Sequence, residues 1–158
     1  IRAGLGGDAG ARNVISGNWR GVLVGNASSG ATIQGNYIGT DYTGTLDVGN
    51  ARDGIDINEN AGDGATGNLI GGTGLNEGNL IFGNNINGVE VRDNPSIGNQ
   101  ILGNQIFGNS AIGIDLGPLA GVTGNDGGDG DSGPNNLMNF PVIYSVVVSG
   151  GNVTITGE

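Results

Sequence analysis

Short motifs return along this sequence in a fixed order, and this repetition limits the folds that the chain can adopt. One motif carries the form Ile-x-Gly-Asn. It occurs in Asn13-Val-Ile-Ser-Gly-Asn18, Asn79-Leu-Ile-Phe-Gly-Asn84 and Asn99-Gln-Ile-Leu-Gly-Asn104, and in shorter form in Thr32-Ile-Gln-Gly-Asn36. A second motif, glycine followed by apolar-x-apolar, begins at Gly21, Gly54, Gly88 and Gly113. Two independent motifs therefore alternate, which is typical of repeat proteins.

The motifs combine into a larger unit of about 66 residues, with Asn13 corresponding to Asn79 and Ile38 to Ile106. Residues 40–53 have no counterpart in the second copy and are expected to form a loop insertion. Apolar and polar residues alternate within each motif, and this period of two predicts short strands. Glycine occupies 36 of the 158 positions, which argues against helices. The sequence therefore predicts an all-β fold.

Like strands return without regular hairpin turns between them, so we expect like strands to stack on one another as a solenoid. One inward column is expected to contain Ile15, Ile33, Ile81 and Ile101, and another to begin with Val22, Ile55, Val89 and Ile114. The asparagines at one corner are expected to bond to their neighbours above and below. They are Asn18, Asn36, Asn84 and Asn104. A disordered linker, the alternative, would not need phased isoleucines.

Composition removes several classes of chemistry. The chain has no lysine, histidine or cysteine, so Schiff-base lysines, thiol nucleophiles, disulfides and His-ligated metals are excluded. The net charge of −10 would repel nucleic acid, and the five arginines are too scattered to bind anionic lipid. No apolar run approaches the roughly 18 residues of a membrane span, so no membrane insertion is expected. Catalysis would have to rest on carboxylates.

These motifs resemble those of the right-handed parallel β-helix repeat proteins of bacterial secreted and surface polypeptides, in the pectin-lyase-like superfold. The resemblance is carried by residues 13–18, 35–45 and 113–118. It implies a right-handed parallel β-helix of about four coils, a handedness that parallel crossovers also favour. Secretion or a cell-surface location is implied with it. The same superfold carries lyases, hydrolases, epimerases, tailspikes and adhesins, so function does not follow from it.

Three segments are predicted along the chain. Residues 1–117 hold the β-helix repeats, and residues 118–139 form a loop rich in glycine and aspartate. Residues 140–158 read as two strands, Phe140–Val148 and Val153–Thr156, joined by Ser149-Gly-Gly-Asn152. These strands are expected either to form a hairpin that caps the solenoid or to begin a further β module of a longer chain.

The middle position of the apolar-x-apolar motif should point outward, and successive copies place Leu23, Asp56, Glu90 and Asp115 there. Three carboxylates in a column must raise a pKa, recruit an arginine or bind a cation. The resemblance to polygalacturonases makes Asp56, Glu90 and Asp115 the candidate catalytic residues, although the His- and Lys-containing motifs of those enzymes are absent. The other interpretation is a solvated acidic stripe that Arg92 partly neutralises.

The loop after the repeats resembles a calcium loop. Carboxylates and an amide separated by glycines supply the oxygen ligands that Ca²⁺ prefers. The candidate ligands are Asp126, Asp129, Asp131 and Asn135. Irregular spacing and the missing glutamate at the last position leave a flexible acidic linker as the alternative.

Aromatic residues are few, but stacking of aromatic rings on sugars is a common route to carbohydrate binding. The candidates are Trp19, Tyr37, Tyr42 and Phe82, and ordinary packing of turns is the alternative. The leading functional hypothesis is a non-enzymatic structural, adhesive or carbohydrate-binding module. Its expected partners are a polysaccharide or cell-surface glycan and neighbouring modules of a longer chain, with Ca²⁺ as the expected ion. The alternative is a fragment of a polysaccharide lyase or glycoside hydrolase.

Overall fold

The computed structural model describes residues 12–25, 27–57, 64–117, 121–128 and 130–158. The all-β expectation is confirmed, because the described elements are thirteen strands and one short 3₁₀ segment at Pro134–Leu137. Within these ranges, no helix is long and apolar enough to cross a membrane. Glycine supplies the positive φ that many of the turns between strands require, as at Gly39 and Gly71.

Eleven of the strands form three parallel sheets. The first sheet contains β1 (Val14–Ile15), β4 (Tyr37–Ile38), β7 (Leu80–Phe82) and β10 (Gln105–Phe107). The second sheet contains β2 (Val22–Val24), β5 (Ile55–Ile57), β8 (Val89–Val91) and β11 (Ile114–Leu116). The third sheet contains β3 (Thr32–Ile33), β6 (Leu69–Gly71) and β9 (Gln100–Leu102).

The chain visits the three sheets in a constant cyclic order, so that each strand pairs with the strands three elements before and after it. The expected stacking of like strands in parallel is therefore confirmed. Val22 pairs with Ile55, and Ile55 pairs with Val89. One passage of the chain through all three sheets is called a round. The sequence repeat of about 66 residues spans two rounds, because Val22 and its counterpart Val89 are separated by the Ile55 strand.

The apolar core lies between the sheets and consists of columns of β-branched residues. The column of Val22, Ile55, Val89 and Ile114 is present as expected. The other predicted column is wrong. Ile15 stacks with Ile38, Ile81 and Ile106 in the first sheet, whereas Ile33 stacks with Ile70 and Ile101 in the third. The Ile-x-Gly-Asn motif serves strands of both sheets, since both are followed by a similar glycine turn.

Asparagine side chains form ladders at the corners, but the single predicted corner is wrong. The predicted four divide between two ladders, Asn13–Asn36–Asn79–Asn104 before the first sheet and Asn18–Asn50–Asn84–Asn109 after it. A third ladder joins Asn68, Asn99 and Asn135 beside the third sheet. Each buried amide bonds both to the next rung and to backbone groups, so the ladders satisfy the polar atoms of the turns.

The remaining strands, β12 (Ile143–Ser149) and β13 (Asn152–Gly157), pair antiparallel as a hairpin. The expected hairpin is therefore present. Its turn is built from Gly150 and Gly151, both at positive φ, as a two-residue hairpin turn requires. The side chains of both strands are exposed.

Candidate functional site

The acidic column lies on the outward side of the second sheet. Leu23, Asp56, Glu90 and Asp115 occupy one register row across its four strands, as the sequence predicts. The row is not a solvated stripe, however. Asp56 is 0% exposed, Asp115 is 1% exposed and Glu90 is 6% exposed. Burying three carboxylates is costly unless cations or hydrogen-bond donors lie beside them.

Arginine side chains cover the column. Arg20 Nε lies 2.8 Å from Asp56 Oδ2. Arg92 contacts three carboxylates, since it forms an ion pair with Glu90 and lies 3.6 Å from both Asp53 and Asp56. The expectation that Arg92 neutralises part of the column is therefore met, and Arg20 adds a second cation. The result is an ion-pair network of Arg20, Asp56, Glu90 and Arg92 that links three successive rounds of the chain. Together with Asp115 we call it the charged column.

Sequence reasoning missed Asp53, Arg20 and Arg52 as members of this network. Asp53 is 0% exposed and accepts a hydrogen bond from Asn87 N at 3.0 Å. The Arg52 Nε atom lies 4.0 Å from Asp53 Oδ2, which is a long ion pair. A signal was present, since Arg20 directly precedes Gly21 and Arg52 and Asp53 directly precede Gly54, the glycines that open two copies of the apolar-x-apolar motif.

Burial and crowding shift the ionisation of the charged column. Burial, the nearby Asp53 charge and a hydrogen bond to Asp53 raise the pKa of Glu90 to about 7, although Arg92 opposes the shift. Burial also raises the pKa of Asp115, against hydrogen bonds from Gly121 and Asn87. Burial lowers the pKa of Arg92, but Glu90 and Asp56 outweigh it, so that this pKa lies above its ordinary value. The pKa of Glu90 thus lies near neutral pH.

The geometry limits what the charged column can do. Oxygen atoms of Asp53, Asp56 and Glu90 lie within 4.8 Å of one another, a spacing that would suit a cation. Arg20 and Arg92 already supply positive charge at that place. Asp53 and Asp56 are fully buried and therefore cannot contact a substrate directly. The arrangement is that of a structural ion-pair network, with Glu90 as its most accessible carboxyl group.

Replacing Glu90 by glutamine is expected to remove one component of the pH dependence of stability. A carboxyl whose pKa rises from 4.5 to about 7 on folding contributes stability below pH 4.5 that is lost as the pH rises through 7. The contribution is at most about 3 kcal/mol. Urea unfolding between pH 4.5 and 8 should show this fall in the natural chain and not in Glu90→Gln. Glu158→Gln, at an exposed position, serves as the control, and equal slopes in both variants would contradict the assignment.

The aromatic candidates lie in three parts of the described structure: the first sheet, the corner after β1 and the loop after β4. Tyr37 and Phe82 both lie on the outward face of the first sheet, where Phe82 packs against Phe107 with ring centroids 5.1 Å apart. Trp19 is exposed after the first corner, with the Arg52 guanidinium 5.9 Å from its ring centre. Tyr42 is exposed in the loop that follows β4. Arg12 donates a hydrogen bond to the Tyr37 hydroxyl.

The calcium-loop residues lie in different environments. Asp126 is exposed and accepts a hydrogen bond from Gly130 N at 3.4 Å, whereas Asp131 is half-buried. Asn135 is a rung of the third ladder, because its side chain accepts from Asn99 N and donates to Asn99 O. Asp129 lies outside the described residues. Calcium binding at this loop stays a prediction.

Comparison of the chain with protein-family models, with curated proteins and with solved structures found no match.

Proposed function

We propose that the chain is part of a right-handed parallel β-helix of about four coils. It serves as a rigid, non-enzymatic module of a secreted or cell-surface bacterial protein and binds a polysaccharide or surface glycan. Neighbouring modules of a longer chain are its other partners, with Ca²⁺ between the coils and the hairpin. The secreted location follows from the resemblance of its motifs to bacterial surface proteins.

The cyclic order of the three sheets supports the β-helix. A chain that returns to the same sheet after every third strand is wound about an axis, and parallel crossovers of this kind are right-handed in nearly every known case. The asparagine ladders add hydrogen bonds along that axis. Such a structure is stiff because each round contacts the rounds before and after it.

The burial of the acidic column is the observation that carries the non-enzymatic proposal. Carboxylates that act on a polysaccharide must touch its glycosidic bond or ring protons. Asp56 and Asp115 are at most 1% exposed, and Asp56 is paired with Arg20. These groups instead hold successive strands of the second sheet together.

One observation favours the alternative, a carbohydrate-active enzyme. Glu90 retains some exposure, has a pKa raised to about 7 and lies beside Asp53. A protonated carboxyl close to an ionised one is the arrangement that glycoside hydrolysis uses. In that alternative Glu90 would be the general acid.

A panel of neutral and acidic polysaccharides distinguishes the two functions. The structural module is expected to bind at least one glycan and to release neither new reducing ends nor unsaturated products. Both products are measurable by standard colorimetric and ultraviolet assays. Product formation that disappears in Glu90→Gln and persists in Glu158→Gln would establish the enzyme and overturn the non-enzymatic proposal.

A further inference from the structure

A polar groove of about 590 Å³ runs beside the outward face of the first sheet. One side is formed by Tyr37, Leu80 and Gln105, which occupy one register row on three successive strands. The other side is the turn at residues 72–78, and Arg12 lies at the same groove. We call this the first-sheet groove. Neither the charged column nor the calcium loop contributes to it.

The walls of the groove are held by close backbone packing. The Glu77 carboxylate accepts a hydrogen bond from Gly74 N at 2.7 Å and so fixes the turn. A methyl group added at Gly78 would lie 2.1 Å from Gly103 O, which shows how closely the turn packs on the next round. Binding to a pre-formed groove loses little conformational entropy.

Several polar side chains at the groove have no hydrogen-bond partner within the described part of the chain. They are the Thr73 hydroxyl and the amides of Asn76 and Gln105, and both Thr73 and Gln105 are exposed. Leu75, which is 85% exposed, and Leu80 add apolar surface. A hydroxyl and two amides beside apolar groups match the surface of a sugar ring, which has hydroxyls at its edge and C–H groups on its faces.

The charges at the groove favour an uncharged ligand. Arg12 is its only cation among the described lining residues, and its guanidinium lies 4.7 Å from the centre of the Tyr37 ring and donates to the Tyr37 hydroxyl. Glu77 places a carboxylate in the adjoining turn. The net charge of −10 would also repel a polyanion over the whole surface.

We propose that the first-sheet groove binds hexose or pentose units of a neutral polysaccharide, with Thr73 and Gln105 as hydrogen-bonding residues. This inference rests on the proposed function, because it gives the glycan-binding module a site and a ligand class. Arg12 and Tyr37 also line the groove, and the apolar face of a sugar unit lies against Leu75 and Leu80.

The test is calorimetric titration of the chain with uncharged oligosaccharides of β-1,4-glucose, β-1,3-glucose and β-1,4-xylose. Oligogalacturonate and oligoguluronate serve as acidic probes. The double variant Thr73→Val, Gln105→Ala should weaken neutral binding about tenfold or more, since two hydrogen bonds are lost. Gln100→Ala removes an equally exposed glutamine from β9 of the third sheet and should leave the affinity unchanged. Melting temperatures of both variants should match the natural chain.

The possible results separate this inference from the proposed function. Neutral binding that survives the double variant would overturn the site and leave the glycan-binding module standing. Binding of the acidic probes alone would overturn the ligand class and leave the module standing. Failure of the natural chain to bind any glycan would overturn both.

Discussion

Replacing Arg92 by methionine is expected to lower the free energy of unfolding by about 3–5 kcal/mol, the cost of leaving buried carboxylates without their cation. Arg92 forms an ion pair with Glu90 and lies 3.6 Å from Asp53 and Asp56, so its side chain contacts three buried carboxylates at once. Methionine retains most of the apolar stem, which limits the loss of packing. Urea unfolding at pH 8, where Glu90 is ionised, measures the effect.

Arg52→Met is the matched control, because among the carboxylates of the described residues the Arg52 guanidinium pairs with Asp53 alone, and at 4.0 Å. Its expected cost is below about 1 kcal/mol. Adding Glu90→Gln to Arg92→Met should recover part of the lost stability, since one of the unpaired charges disappears. Equal costs for Arg92→Met and Arg52→Met would show that the charged column does not stabilise the fold in this way.

Replacing Asn84 by alanine is expected to cost about 3 kcal/mol, because it leaves several buried polar groups without partners. Asn84 is 0% exposed, accepts a hydrogen bond from Asn50 Nδ2 at 2.8 Å and donates to Asn109 Oδ1 at 2.9 Å. Thermal and urea unfolding should both report the loss.

Asn18→Ala provides the comparison within the same ladder. Asn18 is the exposed end rung, and its amide reaches Asn50 Oδ1 at 3.3 Å. Water replaces its bonds, so its loss should cost less than about 1 kcal/mol. A cost for Asn84→Ala no larger than that for Asn18→Ala would mean that the ladders contribute little to stability.

The sequence predicts the stacking because strand period and repeat order depend only on residues along the chain. The assignment of columns failed where two sheets use the same local chemistry. Ile15 and Ile33 belong to different sheets although both precede a glycine turn, since that turn is needed at both corners. The motif therefore predicts the local backbone conformation, but it does not predict which sheet the strand joins.

The sequence predicted that the acidic residues share one register row, but it did not predict that they are buried. The alternation that places Asp56, Glu90 and Asp115 in one row is local, but the burial of Asp56 beside Arg20 and Arg92 brings together residues of three rounds of the chain. For the same reason, the sequence pointed to Tyr37 as a carbohydrate-binding candidate but not to the first-sheet groove that Tyr37 lines. It arises where the turn at 72–78 packs beside strands that are distant along the chain.

The central claim is that each of the strands β1 to β11 pairs in parallel with the strand one full round away, and proton NMR tests it most directly. Cross-strand backbone contacts are expected between Ile38 and Ile81, between Ile55 and Val89, and between Ile70 and Ile101. Strong contacts between Hα atoms of successive strands within β1 to β11, as in an antiparallel meander, would contradict the winding and every site argued from it.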